Sequence, residues 1–262
     1  MRLNKFLSDA GVCSRREADR WMEAGRVTVD GDVARPGCQV GPESRVLVDG
    51  RPVEPEQRKV LLAVYKPRGI VCTTARHAGE KNIVDLVGYP QRLYPVGRLD
   101  KESEGLILMT NMGTLMDQIL RSRNGHEKEY LVQINRPVTL DFLEKMRGGV
   151  PILDTVTRPC TVEKIGADRF RIVLTQGLNR QIRRMCEALG CRVESLKRVR
   201  VVNILLGDLQ PGQYREIQGK EKQELLAALE AGDKGGGQRP APQSDGKKAS
   251  RRPEWNRQKW NG

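Results

Sequence analysis

Apolar residues in the middle of this 262-residue chain change their spacing repeatedly, and never in a regular order. Tyr130, Val132 and Ile134 alternate as a half-buried strand requires, and that run ends at Pro137. Leu140, Leu143 and Met146 then recur at helical spacing behind Thr139, a natural N-cap. Phe170, Ile172 and Leu174 alternate again as far as Gly177. Ile182, Met185, Cys186 and Leu189 follow as a helical stripe that stops at Gly190. Upstream, Val60, Leu61, Leu62, Val64 and Tyr65 read as a buried strand closed by Lys66-Pro67. Asn111 is placed to cap a helix carrying Leu115, Met116, Ile119 and Leu120. Val199, Val201, Val202 and Ile204 to Leu206 predict more sheet, and Leu225, Leu226 and Leu229 a closing helix. Strands and helices mixed without a βαβ rhythm predict an α+β domain with a mixed, largely antiparallel sheet.

The head of the chain follows another pattern. Leu3, Phe6, Leu7 and Ala10 make one short helix ending at Gly11. Ser14 opens a second, with Glu17 as its capping-box partner and Gly25 as its stop. Alternating valines then flank Asp30-Gly31 and Asp49-Gly50, both tight-turn signals. Residues 1–58 therefore predict a small separate domain, with Pro52 to Arg58 as the linker. Residues 59–231 form the second domain. Residues 232–262, with Gly235-Gly236-Gly237, prolines and scattered lysines and arginines, cannot bury enough apolar surface and predict a basic, disordered tail. Trp255 and Trp260 are its candidate stacking residues.

A net charge of +13 points to a polyanionic partner, and charge of this size favours nucleic acid. Aromatic residues are only 4% of the chain, which argues against a stacking platform for long single strands and for structured RNA or a duplex held by its phosphates. No apolar run approaches the roughly 20 residues of a membrane span, and the N-terminus lacks a signal-peptide pattern. A cytoplasmic protein without a membrane partner is expected. Six scattered cysteines and two distant histidines offer no metal-ligand spacing, so no metal site and free thiols are expected.

One loop concentrates potential chemistry: Gly97-Arg98-Leu99-Asp100-Lys101-Glu102-Ser103-Glu104-Gly105-Leu106. On these residues alone Asp100 has two readings. It is a turn or capping residue beside glycine, or an acid kept ionised between Arg98 and Lys101.

Resemblance separates the two. Arg2-Leu3-Asn4-Lys5-Phe6-Leu7, Ser14-Arg15-Arg16-Glu17-Ala18 and Gly25-Arg26-Val27-Thr28-Val29-Asp30-Gly31 resemble the S4 RNA-binding domain. That likeness implies Arg2, Lys5, Arg15, Arg16, Arg20 and Arg26 as RNA-binding residues. Gly97 to Asp100, His126-Glu127-Lys128-Glu129-Tyr130-Leu131-Val132 and Leu174-Thr175-Gln176-Gly177-Leu178-Asn179-Arg180-Gln181-Ile182-Arg183-Arg184-Met185 resemble the small-subunit-type branch of the pseudouridine synthases, whose members carry an S4 domain first. The resemblance implies isomerisation of a flipped-out uridine without a cofactor, and favours a stem-loop of large-subunit rRNA, with tRNA as a second candidate. It implies Asp100 as the catalytic carboxylate, Arg183 as its ion-pair partner and Tyr130 as the residue stacked on uracil. Arg98 would fill the space the base leaves, Leu174 would wall the uracil pocket, and Arg180 and Arg184 would contact phosphates. A monomer is expected.

Three rivals are weaker. A non-catalytic RNA-binding protein shares the basic head but gives no reason for the motif set. A tyrosyl-tRNA synthetase needs His-x-Gly-His and Lys-Met-Ser-Lys signatures, and neither is present. A glycoside hydrolase needs paired carboxylates; Glu102 and Glu104 are available, but the basic head argues against a free sugar.

Overall fold

The computed structural model describes residues 1–54, 58–74, 79–121 and 125–234, so the tail and its two tryptophans lie outside the described residues. The head consists of α1 (Leu3–Asp9), α2 (Arg15–Glu23) and four short strands: β1 (Val27–Val29), β2 (Asp32–Val33), β3 (Val46–Val48) and β4 (Arg51–Pro52). Ser14 and Glu17 form the expected reciprocal capping box on α2. The strands pair in the order β2-β1-β3-β4. Asp30-Gly31 and Asp49-Gly50 turn with both residues at positive φ, the geometry that matches the twist of a tight hairpin. Leu3 and Leu7 of α1 meet Ala18 and Met22 of α2 over Val27, Val46 and Val48, which makes a core of its own.

The second domain runs β5 (Leu61–Lys66), α3 (Ile83–Val87), β6 (Tyr94–Val96), β7 (Glu104–Thr110), α4 (Gly113–Leu120), β8 (Lys128–Ile134) and α5 (Leu140–Gly148). It continues through β9 (Pro151–Ile152), β10 (Thr155–Val156), β11 (Thr161–Lys164), β12 (Arg169–Leu174) and α6 (Gln181–Ala188). The last elements are β13 (Val193–Val201), β14 (Ile204–Leu205), β15 (Tyr214–Glu216) and α7 (Gly219–Lys234). Nine strands form one sheet with the main order β11-β12-β8-β13-β7-β5-β15; β14 pairs with β13 and β6 with β7. Among the described strands only β13 and β7 run parallel; the sheet is otherwise antiparallel, as expected for this α+β domain.

Alternation along the central strands gives the sheet two apolar faces. Leu61, Ala63, Leu106 and Leu108 pack on one side against α4 and α7. Leu62, Val64, Ile107 and Met109 pack on the other against α3 and Leu99. On that second side, beyond β13, Val132, Ile134, Phe170, Ile172 and Leu174 lie under α5 and α6.

Two expectations need correction. Asn111 does not cap α4, whose N-cap is Met112. Its amide instead accepts from the Val60 N–H (3.0 Å) and donates to the Arg58 carbonyl (2.7 Å), because a buried strand entry has backbone groups of its own to satisfy. The closing helix continues to Lys234, past the expected tail start at Gly232. Sequence periodicity also missed α3, β6, β11, β15 and the β9–β10 hairpin, each too short to establish a period.

Candidate active site

Asp100 sits where β7 is about to begin. Leu99 anchors it from below, buried in the core over Ile107 and Met109. The Ser103 N–H donates to the Asp100 carbonyl at 3.0 Å and closes a turn over residues 100–103. β7 then starts beside β13 with Gly105 opposite Arg198. Gly105 has φ +102, and any Cβ there would be driven into the Arg198 backbone. The glycine is thus required by the close parallel approach that places Asp100 over the middle of the sheet.

Tyr130 projects from β8, opposite Ile172 of β12 and Arg198 of β13. It is half-buried and touches the cores on both sides of β13. Its hydroxyl has no hydrogen-bond partner among the described residues. The third contributor is the turn after β12. Arg180, the residue before α6, adopts a left-handed conformation at φ +49, a strained choice for a side chain of this size. The strained turn brings the start of α6 over the sheet with Arg183 pointing inward.

These elements line a small, solvent-open cleft. Arg98, Asp100, Tyr130, Leu174, Arg180 and Arg183 all line it. Arg183 Nε and Arg180 Nη1 each stand 3.8 Å from the same carboxylate oxygen, Asp100 Oδ2. Asp100 lines the cleft, and its Oδ1 makes no hydrogen bond or ion pair with the described residues. The Arg183 side chain is only 9% exposed, against 42% for Arg180. Burial and the neighbouring Arg180 charge pull the Arg183 guanidinium below its ordinary value, and Asp100 opposes them. Lys101 turns away to Glu80, 3.4 Å distant.

Arg98 is exposed at the rim with no ion pair among the described residues. Leu174 is buried in the wall. Arg184 is not brought into the cleft: its guanidinium folds back on Asn179, with Nε 3.1 Å from the carbonyl and Nη2 3.3 Å from Oδ1. In the head, Arg2, Arg15, Arg16 and Arg20 are exposed. Lys5 pairs with Asp9 at 3.3 Å. Arg26 is engaged on both sides, with its fork on Asp49 and its guanidinium 4.7 Å over the Trp21 ring.

Two lysines, one buried and one half-buried, were not singled out from sequence. Lys66 is fully buried, with Nζ donating to the Pro67 and Ile70 carbonyls at 2.9 and 2.8 Å. Burial pushes its ammonium down, and the charges of Cys72, Asp100 and Glu104 oppose that shift. Lys128 lies two residues before Tyr130 on β8; burial, reinforced by Arg198, pushes its ammonium down to about 8. Neither carries a local pattern that distinguishes it from a surface lysine.

The chain matches the family model described as RNA pseudouridylate synthase over residues 60–188 and the S4 domain over residues 1–46. It is 49% identical over 233 residues to the dual-specificity RNA pseudouridine synthase RluF of Escherichia coli strain K12, covering 88% of this chain and 80% of that one. Ribosomal large subunit pseudouridine synthase B of Bacillus subtilis strain 168 is 32% identical over 239 residues, covering 88% of this chain and 98% of that one. A crystal structure of a pseudouridylate synthase superposes with a TM-score of 0.64 at 25% identity, over 86% of this chain and 99% of the other. No helix among the described residues is long and apolar enough to cross a membrane.

Proposed function

The chain belongs to the RNA pseudouridylate synthase family, in the branch that carries an S4 domain, and from that premise we propose which residues perform the isomerisation and on what RNA. The reaction breaks the N1–C1′ bond of a uridine, turns the uracil and joins its C5 to C1′. Every atom needed is already in the nucleotide, so no cofactor takes part. The base must leave its stack first, because neither C1′ nor the C5 edge is reachable inside a helix.

Asp100 is the catalytic carboxylate. One observation supports this above others: both arginines lie against Oδ2, and Oδ1 of this cleft-lining residue has no partner among the described residues. A carboxylate oxygen without a protein partner can attack C1′ or take the 2′ proton. Tyr130 stacks on the uracil, and its uncommitted hydroxyl is placed to assist removal of the C5 proton. Leu174 supplies the apolar wall of the base pocket. Arg98, exposed at the rim, fills the gap left in the RNA. Arg180 serves Asp100 as well as the RNA backbone, a wider role than phosphate contact alone.

The protein acts as a cytoplasmic monomer, and its target is a uridine in a large-subunit rRNA stem-loop, with a tRNA uridine as a second substrate. The domain division, with the second domain extended from residue 231 to the end of α7 at Lys234, fits this reading: the head grips structured RNA and the sheet domain performs the chemistry. A pseudouridine map of rRNA and tRNA from a strain lacking the protein tests the assignment. Loss of one large-subunit rRNA position is expected, and an unchanged map contradicts it.

A further inference from the structure

We propose that Ser103 is a positioning residue that holds Arg183 in register with Asp100. The inference rests on the roles proposed above for those two residues. Ser103 touches both members of the pair. Its backbone N–H donates to the Asp100 carbonyl at 3.0 Å, and its Oγ accepts from Arg183 Nη2 at 3.2 Å. It is wholly buried, lines the cleft and belongs to the same tight turn as Asp100.

A guanidinium is planar, so its aim is set by where its outer nitrogens are held. Arg183 Nη1 donates to the Val193 carbonyl across 3.4 Å, a long and weak contact. Nη2 has the shorter bond, to Ser103. Nε is buried, makes no hydrogen bond and stands 3.8 Å from Asp100 Oδ2. Among the described residues the Ser103 bond is therefore the one hydrogen bond that ties the arginine to the loop carrying the acid, and without it the guanidinium keeps the long Val193 contact and the 3.8 Å ion pair with Asp100.

The residue type also matters. A carboxylate at 103 would accept from Nη2 equally well, but its charge would compete with Asp100 for the arginine. A neutral hydroxyl holds the guanidinium and leaves its charge for Asp100. Glu102 and Glu104, the adjacent acids, make no hydrogen bond or ion pair with Arg183 among the described residues.

The experiment uses the full chain and an in vitro transcript of large-subunit rRNA labelled with tritium at uracil C5, which is released when C5 bonds to C1′. Ser103→Ala is expected to lower kcat by about 10- to 100-fold with KM within twofold, as a small misalignment of reacting groups does. Ser103→Thr, which restores the hydroxyl, recovers at least a third of wild-type kcat. In an Arg183→Lys background, Ser103→Ala changes kcat by less than threefold, because the bond it removes is already gone. Ser103→Ala within twofold of wild type, a loss confined to KM, or equal effects in both backgrounds overturns the inference. Should Ser103→Ala fail to fold, Ser103→Thr and Ser103→Cys carry the test: Thr active with Cys at least tenfold down supports it, and the two alike overturns it. Asp100→Asn is run beside them. An active Asp100→Asn removes the site assignment itself, whereas an inactive one with normal Ser103→Ala removes only the role of Ser103.

Discussion

Arg183 Nε and Asp100 Oδ2 stand 3.8 Å apart, and Arg183 Nε has no hydrogen-bond partner among the described residues. That separation exceeds the roughly 2.7–2.9 Å of a charge-assisted hydrogen bond, leaving the pair room to tighten when RNA enters. Arg180 reaches the same oxygen from a far more exposed position. Their substitution should therefore differ in kind. Arg183→Ala is expected to lower kcat about 100-fold or more with little change in KM. Arg180→Ala, at the solvent-facing rim, should raise KM and lower kcat less than tenfold. Steady-state kinetics on labelled rRNA transcript separates the two, and equal kcat losses would mean that burial does not distinguish their roles.

Gly105 should tolerate no side chain. Its φ of +102 and the Arg198 backbone against it penalise Gly105→Ala twice, by left-handed strain and by overlap with atoms that cannot swing away. A loss of about 3 kcal/mol or more is expected in urea unfolding. Gly50, at φ +75 with open space around it, is the control, and Gly50→Ala should cost about 1 kcal/mol. Similar losses at both positions would contradict the close packing of β7 on β13.

Glu129 lies on β8 one residue before Tyr130, bonded to Arg171 at 2.6 Å and Arg200 at 2.9 Å. Burial alone would raise its carboxyl, but these two hydrogen bonds hold it below the ordinary glutamate range. Because the folded value is depressed, its stabilisation is present above that range and is lost as pH falls through the depressed value. Glu129→Gln should cost about 3 kcal/mol at neutral pH and flatten the fall in stability on acidification. A variant with the wild-type acid slope would show that this carboxylate contributes nothing to acid unfolding.

The head should bind RNA through Arg15, Arg16 and Arg20, all exposed on α2 and free of ion pairs among the described residues. Each arginine-to-alanine change should reduce the slope of log affinity against log salt by about one. Arg26→Ala should change that slope less and lower the thermal midpoint instead, since Arg26 is held by Asp49 and Trp21. Filter binding across a salt series reads the slopes, and identical slopes for all four variants would contradict the division.

Much of this was legible in the residues because local signals agreed with the fold. Ser14 with Glu17, Asp30-Gly31 and Thr139 announce caps and turns that the structure contains. Asn111 misled because an Asn before a helical stripe and an Asn bridging a buried strand entry look alike in sequence. The cleft was legible as separate motifs only through resemblance. What joins them is the order β8-β13-β7, which sets Tyr130 and Asp100 on either side of a strand that arrives much later in the chain. Periodicity contains nothing about that order. Ser103 was invisible for the same reason: a small residue in a loop gains meaning only once Arg183 is seen beside it.

The central claim is that Asp100 performs the chemistry while other residues hold the RNA. Tritium release from C5-labelled large-subunit rRNA, measured for wild type and Asp100→Asn beside their RNA affinities, tests it most directly. Wild type should release tritium, while Asp100→Asn falls by at least about 10³-fold and binds the transcript within threefold of wild type. Sustained release by Asp100→Asn would contradict the claim.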